Sequence, residues 1–156
     1  MQIHLLSGPI RSGKTTCLRR WVAGQAGVGG LLMPTDYQSQ RHFLDLRSGL
    51  RWPVAARPGQ WPVLSVGRFQ FSPAAFAWAN AALRGAATDP AVHWLVVDEI
   101  GPLELRGEGL APALTDVLRA ASHPDHLIIV VRSGLVEAVW RRFKLHRWPM
   151  SHFGNS

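Results

Sequence analysis

The run Gly8-Pro9-Ile10-Arg11-Ser12-Gly13-Lys14-Thr15-Thr16 decides how the rest of the chain is read. Gln2 to Ser7 before it is a short apolar stretch that predicts a strand. After it, Cys17, Leu18, Trp21 and Val22 recur at helical spacing from about Lys14 to Gln25, and Gly27 to Gly30 stops the pattern. Glycine, four residues, then Gly-Lys-Thr between a strand and a helix is a pattern with a mechanism. Glycines let the backbone curl into a nest of inward N–H groups, and the helix start adds its positive dipole end to the same anion. Gly8 to Thr16 are therefore the candidate phosphate-binding residues. Lys14 is placed to reach the outer phosphates, and the Thr15 hydroxyl to ligate Mg²⁺. With this composition the pattern arises by accident with a frequency of roughly 0.002. The lysine adds weight. Fifteen of the 17 basic residues are arginine, and Lys14 is one of only two lysines. A compact ammonium suits a phosphate cradle better than a planar guanidinium fork.

Further along, His93-Trp94-Leu95-Val96-Val97 runs apolar into Asp98-Glu99. Asp98, Glu99, Glu104 and Glu108 put four of the ten acidic residues into eleven positions. A strand-end Asp serves a phosphate-bound metal, and a Glu beside it can take a proton from water. Neighbours on a strand face opposite ways, so both carboxylates reach one site only if the backbone bends there. Gly101-Pro102 is the expected place for that turn.

The remaining chain alternates strands and helices: Leu31–Met33, a helix from the Ser72-Pro73 cap to about Gly85, Val92–Val97, Gly109–Ala121, His126–Val131 and a helix over 135–143. That alternation predicts one α/β domain over 1–156, with a mainly parallel five-strand sheet between helices. Pro53, Pro58 and Pro62 mark 41–71 as an antiparallel ribbon or lid. At 156 residues with 47% apolar content, the chain is long enough for a core burying roughly 68–70% of its unfolded surface. The single cysteine, Cys17, rules out an internal disulfide and reads as a small buried hydrophobe. No apolar run approaches a membrane span, and the start lacks the basic leader of a signal peptide, so the expected compartment is the cytoplasm. The formal charge of +7 draws polyanions, but the bases are scattered. Nucleotides are favoured over a nucleic-acid surface, and nothing identifies a protein partner.

GPIRSGKTT together with VVDEIGPLEL at 96–105 resembles the small P-loop nucleoside-triphosphatases, the family of the animal cancer-related NTPase. The DEIG-x-x-EL string is the more specific half. Val66-Gly67-Arg68-Phe69 before the middle helix, and the strand, Arg and basic helix over Ile128–Phe143, are similar too. The resemblance implies a P-loop fold and Mg²⁺-dependent, slow and broad hydrolysis of nucleoside 5′-triphosphates to diphosphate and phosphate. It further implies that Gly8 to Thr15 bind phosphate, Asp98 serves the metal and Glu99 activates water. The chain departs from the pattern at Thr35-Asp36-Tyr37, where members often carry paired acids, and in having only Leu145–Ser156 for a last strand.

Arg132, following an apolar strand, is the candidate arginine finger. Arg11 is a weaker candidate for phosphate contact, and Glu104 reads as a buttress of the turn. Trp52 and Trp61 in the ribbon are candidates for stacking on a base, whereas Trp21, Trp78, Trp94 and Trp140 read as core or its margin. The seven histidines lack zinc-ligand spacing. Two alternatives stay open. One is a small-molecule or nucleotide kinase using Arg41, Arg47, Arg51 and Arg57. The other is a nucleotide-gated module that binds RNA or a protein.

Overall fold

A computed structural model describes residues 1–9 and 11–154. Strand β1 (Gln2–Gly8) runs into the glycine turn, and helix α1 (Lys14–Ala23) leaves it. Strand β2 (Val28–Leu32) follows. It begins three residues before the expected Leu31, because Gly29 and Gly30 belong to it. Gly30 has φ +103°, and a Cβ there would run into the Val96 carbonyl of the neighbouring strand. What reads in sequence as a helix stop is thus also a close approach of two backbones.

The irregular ribbon divides in two. Strands β3 (His42–Asp45) and β4 (Arg51–Pro53) pair antiparallel and extend the main sheet beyond β2. Strands β5 (Leu64–Val66) and β6 (Phe69–Phe71) make a separate hairpin. Helix α2 (Pro73–Ala87) starts as its sequence requires, with the Ser72 hydroxyl accepting from Ala75 N at 3.4 Å and proline in the first turn. Strand β7 (Trp94–Ile100) runs three residues past Val97. Where a plain turn is expected at Gly101-Pro102, the chain forms the one-turn helix α3 (Pro102–Leu105). Glu104 reaches back to accept from Gly101 N at 2.8 Å and closes that turn. Helix α4 (Ala111–Arg119), strand β8 (His126–Arg132), helix α5 (Val136–Phe143) and strand β9 (Met150–His152) complete the order.

The strands lie in the order β4-β3-β2-β7-β8-β1-β9, and β2, β7, β8, β1 and β9 are mutually parallel. The mainly parallel sheet expected from the alternation is present, but it has seven strands rather than five, because the antiparallel pair β3–β4 joins it at one edge, with β9 at the other. Helices cover both faces unequally. One side packs Ile3, Leu5, Leu95, Val97, Leu127, Ile129 and Val131 against α2, α4 and α5, through Phe76, Leu83, Leu114 and Val139. The other side packs Val96, Ile128 and Val130 against Leu18 of α1. Within β1, β7 and β8 the two sets alternate along the strands, as burial on both faces demands.

Cys17 and Trp140 depart from their expected burial. Both are exposed, Cys17 on the outer side of α1 and Trp140 on α5. In α1 the sheet-facing position is Leu18, and its neighbour in sequence turns outward.

Candidate nucleotide site

The cradle is built by the handover from β1 to α1. Gly13, at φ +84°, occupies the N-cap of α1 in a left-handed conformation that glycine adopts without strain. Ser12 N donates to Pro9 O at 3.2 Å, and Cys17 N to Gly13 O at 2.8 Å, so the turn merges into the first helical bond. Lys14 is buried beneath the turn, with its ammonium donating to Gly8 O at 3.0 Å and Pro9 O at 2.8 Å. The charge is thereby held by the loop it serves. Ile10 lies outside the described residues.

Asp98 and Glu99 stand two strands away, at the C-terminal end of β7. The pairing of β7 with β8 slips between Val97 and Ile100: Val97 faces Ile129, and Ile100 faces Val131. Three steps on one strand match two on the other, so the bend that lets both carboxylates serve one cleft lies within the strand rather than at Gly101-Pro102. Asp98, 1% exposed, accepts from the Thr15 hydroxyl at 2.7 Å and from Met33 N at 3.1 Å through one oxygen. Burial pushes its pKa up to about 6; the Glu99 charge adds to the rise, while the two hydrogen bonds and Lys14 oppose it. Glu99 Oε2 lies 3.9 Å from Lys14 Nζ. Ammonium, hydroxyl and two carboxylates from β1–α1 and β7 thus converge.

They line an open cleft of about 280 Å³. Arg11, Ser12, Gly13, Lys14, Thr15, Thr16, Asp98 and Glu99, all named from sequence, are among its walls. Arg132 is not. It sits beside Gly8 in the β1–β8 register, at the same end of the sheet but outside the cleft lining, and its Nε is buried without a hydrogen-bond partner. Trp52 and Trp61 are also outside the lining: Trp52 packs on Trp78 with ring centres 5.7 Å apart, and Trp61 is 83% exposed. Sequence reading missed Arg19, Met33, Pro34 and Thr35 as cleft residues, and took Arg41 only as one of four candidate lid bases. Arg19 had a detectable signal, since it lies one helical turn beyond Thr15. Met33 to Arg41 had none, because their approach depends on which strand neighbours β7.

Thr15 and Asp98 supply hard oxygen donors, already within hydrogen-bond distance of one another. That set fits Mg²⁺, which takes few protein ligands and completes its octahedron with phosphate oxygens and water. Among the described residues no group of three or more His, Cys, Asp or Glu could hold a metal by itself. Among the described helices, none is long and apolar enough to cross a membrane.

The sequence over residues 3–148 matches the model of a family described as NTPase. Among solved structures, THEP1 from the hyperthermophile Aquifex aeolicus superposes with a TM-score of 0.70 at 15% identity, over 99% of this chain and 91% of that one. A human cancer-related nucleoside triphosphatase superposes with a TM-score of 0.59 at 20% identity, over 100% of this chain and 90% of that one. No curated protein sequence matches the chain. At these identities the two structures establish the fold.

Proposed function

The chain belongs to that NTPase family, the small P-loop nucleoside triphosphatases, and on this premise we propose that it hydrolyses nucleoside 5′-triphosphates to the diphosphate and phosphate with Mg²⁺. One observation carries the reading: Lys14, Thr15, Asp98 and Glu99 converge on a single cleft beside a helix N-terminus. Mg²⁺, when bound with the nucleotide, would neutralise charge on the outer phosphates, with Thr15 and Asp98 as its protein ligands. The amides of the turn and the Lys14 ammonium bind the β- and γ-phosphates. Glu99 orients a water molecule and accepts its proton as the water oxygen bonds to the γ-phosphorus. The bond from that phosphorus to the bridging oxygen breaks, and its electron pair leaves with the diphosphate. Positioning and fixed charge supply most of the acceleration.

Broad base specificity is supported by the cleft itself. Among the described residues no aromatic ring lines it, and the arginine planes that do can stack on any base without discriminating between them. The kinase alternative draws support from Arg41 alone, since Arg47 is paired with Asp89 and neither Arg51 nor Arg57 is among the residues that line the cleft.

The test is phosphate release from ATP, GTP, CTP and UTP with Mg²⁺ and no added acceptor. We expect all four to be hydrolysed at rates within about tenfold of each other. Glu99→Gln should retain nucleotide binding and lose about 100-fold or more in turnover, the scale of a general base. Parental turnover in Glu99→Gln would remove that residue from the mechanism. Diphosphate formation only on addition of an acceptor, with the phosphoryl group on that acceptor and no free phosphate, would favour the kinase.

A further inference from the structure

We propose that Arg41, and not Arg132, supplies the cation that stabilises charge on the transferring γ-phosphoryl group; the proposal rests on the hydrolytic reading above. Three arginines line the cleft, and they are not equivalent. Arg11 and Arg19 are exposed, whereas Arg41 is half-buried. Arg41 comes from the sheet side, opposite the cradle, where its backbone is fixed twice. It forms a β-bridge with Thr35, and its carbonyl accepts from Val54 N at 3.0 Å. The strand it opens, β3, pairs with β2, and β2 pairs with β7, which carries the two carboxylates. Met33, just beyond β2, donates its N–H directly to Asp98. The Arg41 backbone is therefore part of the same sheet frame that carries Asp98.

Its charge is also uncommitted. Among the described residues Arg41 makes no ion pair; Arg11, Arg19 and Arg132 make none either, and what separates Arg41 from them is that it is both half-buried and part of the cleft wall. The two nearest acids in sequence are engaged elsewhere: Asp45 accepts from Arg47 N and the Ser48 hydroxyl at 3.1 and 2.7 Å, and Asp36 accepts from Gln38 N and Gln40 N at 2.8 and 2.9 Å, with its second oxygen 3.8 Å from His42. A guanidinium in the wall of an open cleft with no carboxylate partner is free to meet an anion that enters. In this cleft the arriving anion is the triphosphate. Arg41 forms and breaks no covalent bond. It meets the negative charge that accumulates on the γ-phosphoryl oxygens as water adds and the bridging oxygen departs, and a planar donor fork suits that role.

The experiment uses the full chain with Arg41→Ala and Arg41→Lys, each first matched to the parent for Tm. Steady-state phosphate release gives kcat and KM for Mg·ATP, and titration gives Kd for Mg·ADP with and without aluminium fluoride. Arg41→Ala should lower kcat about 100-fold or more, change Kd for Mg·ADP by less than about threefold and abolish the tightening caused by aluminium fluoride. Arg41→Lys should recover part of kcat. A kcat within threefold of the parent overturns the proposal, as does a loss of kcat matched by equal losses in ADP affinity or Tm. If the parent itself releases no phosphate without an acceptor, the hydrolytic reading falls and this one with it. If the parent hydrolyses and Arg41→Ala does too, only this one falls.

Discussion

Glu104, 3% exposed, spends both carboxylate oxygens on backbone: Oε2 accepts from Gly101 N at 2.8 Å and Oε1 from Leu110 N at 2.9 Å. It ties the end of β7 to the start of α4 and so holds the loop just past Asp98 and Glu99. Burial pushes its pKa up to about 7 despite those bonds. The folded state therefore keeps this proton to higher pH than the unfolded chain does. Its contribution to stability is complete below about 4.5 and is lost as pH rises through about 7, on the order of 3 kcal/mol in all. Urea unfolding of the parent and Glu104→Gln at pH 5 and pH 8 should show a flatter pH dependence in the variant. An unchanged slope would mean Glu104 does not titrate there. His4 pulls the other way, since burial and the neighbouring His126 lower its pKa, so the difference between variants is the cleaner reading. The buttressing role of Glu104 was legible in the sequence because it lies three positions after Gly101, within reach of that amide. Its second partner, Leu110, was not.

Between elements, Asn80 is a buried polar fastening that makes three hydrogen bonds. From the buried side of α2 its Nδ2 donates to Phe76 O and to Gly109 O, each at 2.8 Å, and its Oδ1 accepts from Ala113 N at 2.9 Å. One side chain thereby satisfies groups at the entry to α4 that no helix bond can reach. Asn80→Ala should cost about 2–4 kcal/mol, measured by chemical unfolding, because it leaves a buried carbonyl and a buried amide unpaired. Less than about 1 kcal/mol would mean water replaces the amide. The helices themselves were readable from caps and periodicity, as Ser72-Pro73 shows. Their partners were not, since an asparagine in an alanine-rich helix carries no mark of what it faces. The bulge in β7 was likewise invisible: the pattern Val96-Val97-Asp98-Glu99 is the same whether or not the neighbouring strand slips by a residue.

Across the molecule, the cleft lies at the carboxyl ends of the parallel strands, between β1 and β7, with β8 separating them. Binding there would bridge the cradle, the Asp98–Glu99 strand end and the β2–β3 edge, so nucleotide should stabilise the whole fold. At 100 times its Kd, a non-hydrolysable Mg·ATP analogue should add about 2.7 kcal/mol, or roughly 5–10 °C in Tm. Lys14→Ala should lose most of that gain at the same concentration. A full shift in Lys14→Ala would count against the ammonium as a phosphate ligand.

Local chemistry determined much of this protein without help from the fold. A glycine turn between a strand and a helix, a single well-placed lysine and a strand ending in two acids each follow from a few consecutive residues. Their meaning does not depend on distant neighbours. The tertiary structure alone decided which arginine faces the cleft, because that depends on strand order. Arg132 ends β8, next to Gly8, yet stays outside the lining. Arg41, twenty-seven residues from Lys14 in the chain, is carried into the lining by an antiparallel strand added beyond β2. Sequence spacing encodes what one turn of backbone can bring together, and only packing encodes what two sheet neighbours place across a cleft.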